Sequence, residues 1–245
     1  MKIALFADGF VGLEISKFLF EKFNQDIAIV FCTNENEVFD LALSYNISCK
    51  IFKDSGDAIK TLNDFDIEFG VLAWWPYIIS NQVISSTKYG FVNTHNSFLP
   101  NNKGKHPYYW AVIEGCQYGV TLHWVDEGID TGDIIAQEAI EVGWEDNAES
   151  IYQDSLEKMI DLFKKTYPSL RNGEIFSKPQ ENSGSFHYGF ELDKHSEIKL
   201  DEMYTARDLL NILRARTTSS KAFKAAFFKD CGEVYRIKVI IEKED

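Results

Sequence analysis

Residues 2–12, KIALFADGFVG, start as an apolar run, turn through an acid and two glycines, and lead into residues 13–23, LEISKFLFEKF. Lys2 to Ala7 reads as a buried strand. Asp8 to Gly12 reads as a tight loop, and Leu13 to Phe23, with apolar residues at helical spacing, as a helix. Strand, glycine turn and helix in that order make the first unit of an α/β sheet. The alternation continues downstream. Ile27 to Thr33 reads as a second buried strand, Glu37 to Tyr45 as a helix, Lys50 to Phe52 as a short strand, Asp54 to Asn63 as a helix and Phe69 to Trp74 as a strand. Phe91 to His95 continues the sheet. His106 to Glu114 reads as a helix with Pro107 in its first turn. Gly119 to Val125 and Ile134 to Val142 read as antiparallel strands, and Asn147 to Thr166 as a long amphipathic helix.

The composition is that of a globular protein with a sizeable core: 245 residues, 45% hydrophobic and 26% charged. The net charge of −13 repels phosphate backbones, so nucleic acid is not expected as a partner. Cys32, Cys49, Cys116 and Cys231 are widely spaced with no CxxC, and they read as free thiols in a reducing compartment. The first apolar run is too short for a signal peptide, and no apolar run is long enough to cross a bilayer. The expected location is the cytoplasm, with no membrane partner. No His/Cys/Asp spacing suggests a metal site.

Candidate chemistry gathers after the fifth strand. Asn93 and His95 lie two apart, so their side chains share one face of that strand. Ser97, Leu99 and Pro100 then break it. A second loop, VDEGIDTGD at residues 125–133, is rich in acids. An amide to hold an oxyanion, an imidazole to take a proton and a carboxylate to orient that base are what acyl transfer to an amine needs. The residues alone do not choose among Asp126, Asp130 and Asp133 for the carboxylate.

Asn93-Thr94-His95, then Ser97-Phe98-Leu99-Pro100, then Asp130-Thr131-Gly132 together resemble the 10-formyltetrahydrofolate-dependent formyltransferase family, in order and spacing, over about the first 180 residues. The resemblance implies a formyltransferase-type, Rossmann-like mixed sheet flanked by helices, with N10-formyltetrahydrofolate as the one-carbon donor and no metal. It makes His95 the general base, Asn93 the oxyanion donor and Asp130 the orienting acid. It places Trp75, Tyr77 and Ile79 in a pterin slot that Ile84 closes, with Val125 and Asp126 on the other side of the cofactor. Asp133 is then expected to cap the following strand.

Residues 101–110, NNKGKHPYYW, are locally basic within an acidic chain, which suggests an anionic substrate. Gly104-Lys105-His106-Pro107 resembles the nucleotide-sugar branch of the family. That resemblance makes Lys103, Lys105, His106, Tyr109 and Trp110 the substrate-binding set. The acceptor it implies is the amine of a nucleotide-linked, dTDP- or UDP-type, 3- or 4-amino-dideoxyhexose, with a formamido sugar for surface polysaccharide such as O-antigen as product. His123 and His187 read as structural, with a substrate role as the alternative for His123, whose strand lies next to the site. Arg214 and Arg216 flank a helix end and read as solvent or helix-end residues, with a reach to the substrate as the alternative.

Polar residues and Pro179 near residues 178–185 mark a boundary between a catalytic domain, 1–183, and an appendage, 184–245. The appendage reads as a helix, Ala206 to Arg216, and a hairpin of Ala222 to Phe228 and Val234 to Glu242. The hairpin's apolar face (Phe223, Phe227, Phe228, Tyr235, Ile237, Val239) has little chain around it. It is expected to pack on the catalytic domain or across the twofold of a homodimer. Three rival readings are weighed. Ala7-Asp8-Gly9-Phe10-Val11-Gly12 approximates the GxGxxG of an NAD-type dinucleotide-binding oxidoreductase. Glycinamide ribonucleotide is another acceptor within the family. A scaffold that keeps the fold without folate affinity is the third.

Overall fold

The computed structural model describes residues 1–174, 176–181, 184–219 and 224–244. These fall into two compact units interleaved along the chain: residues 1–95, 121–137 and 156–180, and residues 96–120, 138–155 and 181–245.

In the first unit, β1 (Ile3–Ala7), β2 (Ile27–Cys32), β3 (Cys49–Ile51), β4 (Phe69–Ala73) and β5 (Phe91–His95) alternate with α1 (Gly9–Phe23), α2 (Glu37–Ser44), α3 (Ser55–Phe65) and the single turn α4 (Asn81–Ile84). The main sheet has seven strands. With β7 (Tyr118–Trp124) and β8 (Ile134–Ile140), its order is β3-β2-β1-β4-β5-β7-β8. Pairing is parallel from β3 to β5 and antiparallel between β5 and β7. The sheet is therefore mixed, as expected from sequence.

Helix α1 starts at Gly9 rather than Leu13. Asp8 is its N-cap, accepting the Gly9 N–H at 2.7 Å, so the glycine turn is the helix's own first turn. Asn36 and Asp54 cap α2 and α3 in the same way. Ala4, Phe6, Ile29, Phe31, Leu62, Leu72 and Phe91 form a buried cluster on one face of the sheet. Phe6 stacks on Phe31 at 4.4 Å and meets Phe91 edge-on at 5.5 Å. Gly70 makes room for this packing, since a Cβ there would lie 2.0 Å from the Phe91 ring.

Helix α6 (Ala148–Asn172) runs past Pro168, where the sequence reading stopped at Thr166. Its last turns are tied down by a long-range contact. Buried Asp26 accepts Arg171 Nε at 2.6 Å and Nη2 at 3.2 Å, and the Tyr167 hydroxyl at 3.1 Å. That contact outweighs the one hydrogen bond lost at the proline.

The second unit contains α5 (Pro107–Glu114), α7 (Glu191–Lys194), α8 (Ala206–Ala215), a two-residue parallel ladder of β6 (Lys103–Gly104) with β9 (Phe186–His187), and the hairpin β10 (Ala226–Asp230) with β11 (Glu233–Ile237). Ala222 and Phe223 lie outside the described residues. Phe228, Ile237 and Val239 pack on Ile198, Leu213 and Ala226. Much of the apolar face that seemed to lack cover is thus covered by α8 and the segment before it, within its own unit. Val234, Tyr235 and Ile240 stay exposed.

Candidate active site

Strand β5 carries Asn93 and His95, and the antiparallel register places His123 of β7 directly opposite Asn93. The loop between β7 and β8 folds Asp130 back over both strands. Asp130 Oδ2 lies 3.5 Å from His95 Nδ1, and its Oδ1 lies 3.7 Å from His123 Nε2. His95 and His123 are buried, and the Asp130 side chain is only 12% exposed. The acid is therefore held in a setting where solvent screens it little.

His123 Nδ1 lies 2.8 Å from the carbonyl oxygen of Trp124. A carbonyl only accepts, so Nδ1 carries the proton and Nε2 of the neutral ring is a lone pair. Nε2 lies 3.1 Å from Asn93 Nδ2, which donates to it. One Asn93 N–H is thereby committed to His123.

The Asp130 loop is strained and clamped. Asp130 has φ of 55°, in the left-handed region, and the Gln180 amide donates at 2.8 Å to both the Asp130 and Gly132 carbonyls. Gly132 is a site of close approach, where a Cβ would lie 1.8 Å from the Trp124 oxygen. Asp126 accepts the Gly128 N–H at 3.0 Å and the Thr131 hydroxyl at 2.6 Å. These bonds organise the loop internally. Of the three candidate acids, Asp130 is the one beside His95.

Trp75, Ile79, Ile84 and Val125 pack on one apolar cluster. Trp75 meets Phe6 at 5.3 Å and Phe52 at 5.5 Å, both edge-on, and half-exposed Tyr77 stacks over Phe52 at 6.0 Å. Trp75 Nε1 is buried with no hydrogen-bond partner among the described residues. The Trp74 N–H donates at 2.9 Å to the Thr94 hydroxyl, which ties this loop to β5 beside Asn93 and His95.

The basic loop belongs to the second unit. Lys105 is exposed, Lys103 is half-buried, and His106, at φ of 59°, accepts or donates at 2.9 Å to the Tyr108 hydroxyl through Nδ1. Burial, then Arg216 and Lys105, push the His106 pKa below the ordinary imidazole range. Trp110 is buried with its ring stacked on His187 at 3.8 Å, and the Tyr109 hydroxyl donates to the His195 carbonyl at 3.2 Å. This geometry gives Trp110 a packing role.

Two participants escaped the sequence reading. His123 reads from sequence as structural with a substrate role as the alternative, and its contact with Asn93 comes from the strand register. Gln180 was read as part of a polar boundary. Nothing in its neighbours marks it, because its partners lie 50 and 48 residues away.

The glycine turn after β1 does not form a dinucleotide cradle. Asp8 fills the N-terminus of α1, accepting from Gly9, from Asn36 Nδ2 at 3.0 Å and from the Thr33 hydroxyl. A carboxylate there occupies the place a pyrophosphate would need.

A family model described as formyl transferase matches residues 24–166, and one described as N-formyltransferase dimerization C-terminal domain matches residues 191–243. The chain is 33% identical over 183 residues to a methionyl-tRNA formyltransferase of Thermodesulfovibrio yellowstonii, covering 74% of this chain and 56% of that protein. It is 30% identical over 154 residues to a dTDP-4-amino-4,6-dideoxyglucose formyltransferase of Mycobacterium tuberculosis, covering 62% of this chain and 65% of that one. It thus spans about half to two thirds of the length of the curated relatives it matches. A crystal structure of a 4-N formyltransferase from Francisella tularensis superposes with a TM-score of 0.82 at 25% identity, covering 99% of this chain and 98% of that one.

Proposed function

Since this chain belongs to the formyl transferase family, we propose that it transfers the formyl group of N10-formyltetrahydrofolate to the amine of a nucleotide-linked amino-dideoxyhexose. The observation that carries the reaction class is the cluster of Asn93, His95 and Asp130, with His123 setting the amide's orientation. The folate, when bound, supplies a formyl group on a nitrogen leaving group.

His95 takes the proton that the amine sheds as it attacks the formyl carbon. The resulting imidazolium faces Asp130, which stabilises it, and the free N–H of Asn93 donates to the oxygen that gains charge. Collapse returns that charge to the carbonyl, and a proton passes from His95 to the leaving nitrogen. The aromatic loop Trp75–Ile79, together with Ile84 and Val125, fits a flat pterin: its walls are apolar, and the orphaned Trp75 Nε1 offers a donor to a ring acceptor.

Support for a sugar acceptor is threefold. A sugar formyltransferase is among the relatives, and the superposition on a 4-N formyltransferase runs over nearly the whole of both chains. The net charge of −13 disfavours tRNA. Lys103, Lys105 and His106 stand as the residues that meet the nucleotide, the expected nucleotide is dTDP, and the product is a formamido sugar for a surface polysaccharide. The C-terminal family match supports a homodimer built through the appendage.

The test pits acceptors against each other. Purified protein is given N10-formyltetrahydrofolate with either charged initiator tRNA or a panel of dTDP- and UDP-linked amino sugars, and the product mass is followed. Formylation of a sugar and not of the tRNA is expected. Formylation of the tRNA alone replaces the sugar reading.

A further inference from the structure

We propose that a cavity inside the second unit is an anion site for the diphosphate of a nucleotide, with Arg216 as its charged anchor. This rests on the nucleotide-sugar reading of the acceptor and adds where that acceptor's charge is held. The cavity measures about 170 Å³, and its walls include Tyr108, Tyr109, Tyr152, Leu192, Glu149 and Arg216. Drug-sized sites run to about 300–1,000 Å³, so this one suits part of such a ligand rather than the whole.

The guanidinium of Arg216 is out of balance with its surroundings. Its side chain is 5% exposed, and Nε has no hydrogen-bond partner among the described residues. Nη2 lies 3.6 Å from Asp193 Oδ1, but the Asp193 side chain is 75% exposed and well screened. The guanidinium also lies over the face of Tyr109, 5.7 Å to the ring centroid. Among the described residues this buried cation has one long, solvent-screened counter-charge, which leaves much of its desolvation cost uncompensated.

Arg214 shows what a structural arginine in the same unit looks like. Its Nε donates to Asn211 at 3.0 Å, and Nη1 donates to the Gly143 and Asp146 carbonyls at 2.6 and 3.0 Å. From sequence both arginines reach either solvent or the substrate; both are buried, and of the two, among the described residues, Arg214 is the one well provided with acceptors.

The Glu149 carboxylate accepts the Ser219 N–H at 2.6 Å and its hydroxyl at 2.9 Å. Lys105 and Arg216 both depress the His106 pKa, and Arg236 adds to the positive field at Arg216. Arginine's planar fork matches two phosphoryl oxygens at once. The Tyr108 and Tyr152 rings, 5.0 Å apart and edge to face, offer an apolar wall beside it.

The test is calorimetric titration of the full chain with dTDP, UDP and inorganic pyrophosphate. All three are expected to bind wild type, and Arg216→Gln should weaken each on the order of 30-fold or more, with Arg216→Lys between. Asp193→Asn, a surface change that spares the fold, should tighten each by about two- to five-fold, because it removes a competing carboxylate. Unchanged nucleotide affinity in Arg216→Gln, or no gain in Asp193→Asn, overturns the site. Formyl transfer to a nucleotide sugar with unchanged affinity in Arg216→Gln overturns the site and leaves the acceptor reading standing. Arg216-dependent binding of pyrophosphate but of neither nucleotide overturns the nucleotide assignment.

Discussion

Asn93 Nδ2 lies 3.1 Å from His123 Nε2, and this contact fixes which way the Asn93 amide faces. The Trp124 carbonyl holds the proton on Nδ1 of the same imidazole, so Nε2 can only accept while the ring is neutral. His123→Ala frees the amide to rotate and present its oxygen. A fall in kcat of about 10- to 100-fold is expected, with donor KM changed little, since the lost contact orients a group that acts on the transition state. Steady-state kinetics at saturating folate checks it. A loss confined to KM would contradict the orienting role.

His95→Asn removes the base and Asp130→Asn removes the charge that faces its imidazolium. Each is expected to lower kcat by about 10²–10⁴-fold while leaving the melting temperature near wild type. Asn93→Ala, by removing an oxyanion donor, is expected to cost about 10²–10³-fold. Near-wild-type turnover in both His95→Asn and Asp130→Asn would remove the cluster from the chemistry.

The loop that carries Asp130 is held by Gln180 and by the closeness of Gly132 to the Trp124 oxygen. Gln180→Ala is expected to reduce kcat by roughly 10-fold through misplacement of Asp130. Gly132→Ala drives a methyl into backbone and is expected to be worse in both turnover and stability. Side-by-side kinetics and thermal melts separate the two effects.

Arg171 and Tyr167 supply the side-chain partners of the buried Asp26 carboxylate. Arg171→Ala leaves that carboxylate short of its counter-charge, and a drop in Tm on the order of 5 °C or more is expected, with kcat per folded molecule unchanged. Calorimetry of the variant checks it. Arg171→Lys, which keeps the charge but loses the two-pronged geometry, should fall between.

The strand and helix alternation was legible because buried parallel strands are short apolar runs bounded by glycines and acids, as at 3–7, 27–32 and 69–73. The pair Asn93 and His95 was legible because period two puts both on one face. What depends on contacts between distant residues was not. His123 meets Asn93 through strand register, Gln180 reaches Asp130 across 50 residues, and α6 passes Pro168 because Asp26, 145 positions before Arg171, anchors its end. The hairpin looked uncovered for the same reason, since α8 buries Phe228 and Ile237 through a contact no local pattern announces. Whether Arg216 meets solvent or substrate is not legible from its place at a helix end, and in the structure it is buried.

The measurement that bears most directly on the central claim is mass spectrometry of the acceptor after incubation with N10-formyltetrahydrofolate and dTDP- or UDP-linked amino-dideoxyhexoses, run in parallel for wild type and His95→Asn. The account predicts one formyl group added to one of these sugars by wild type, with the yield falling by orders of magnitude in the variant. No formylated sugar from wild type, or equal yields from both proteins, would contradict it.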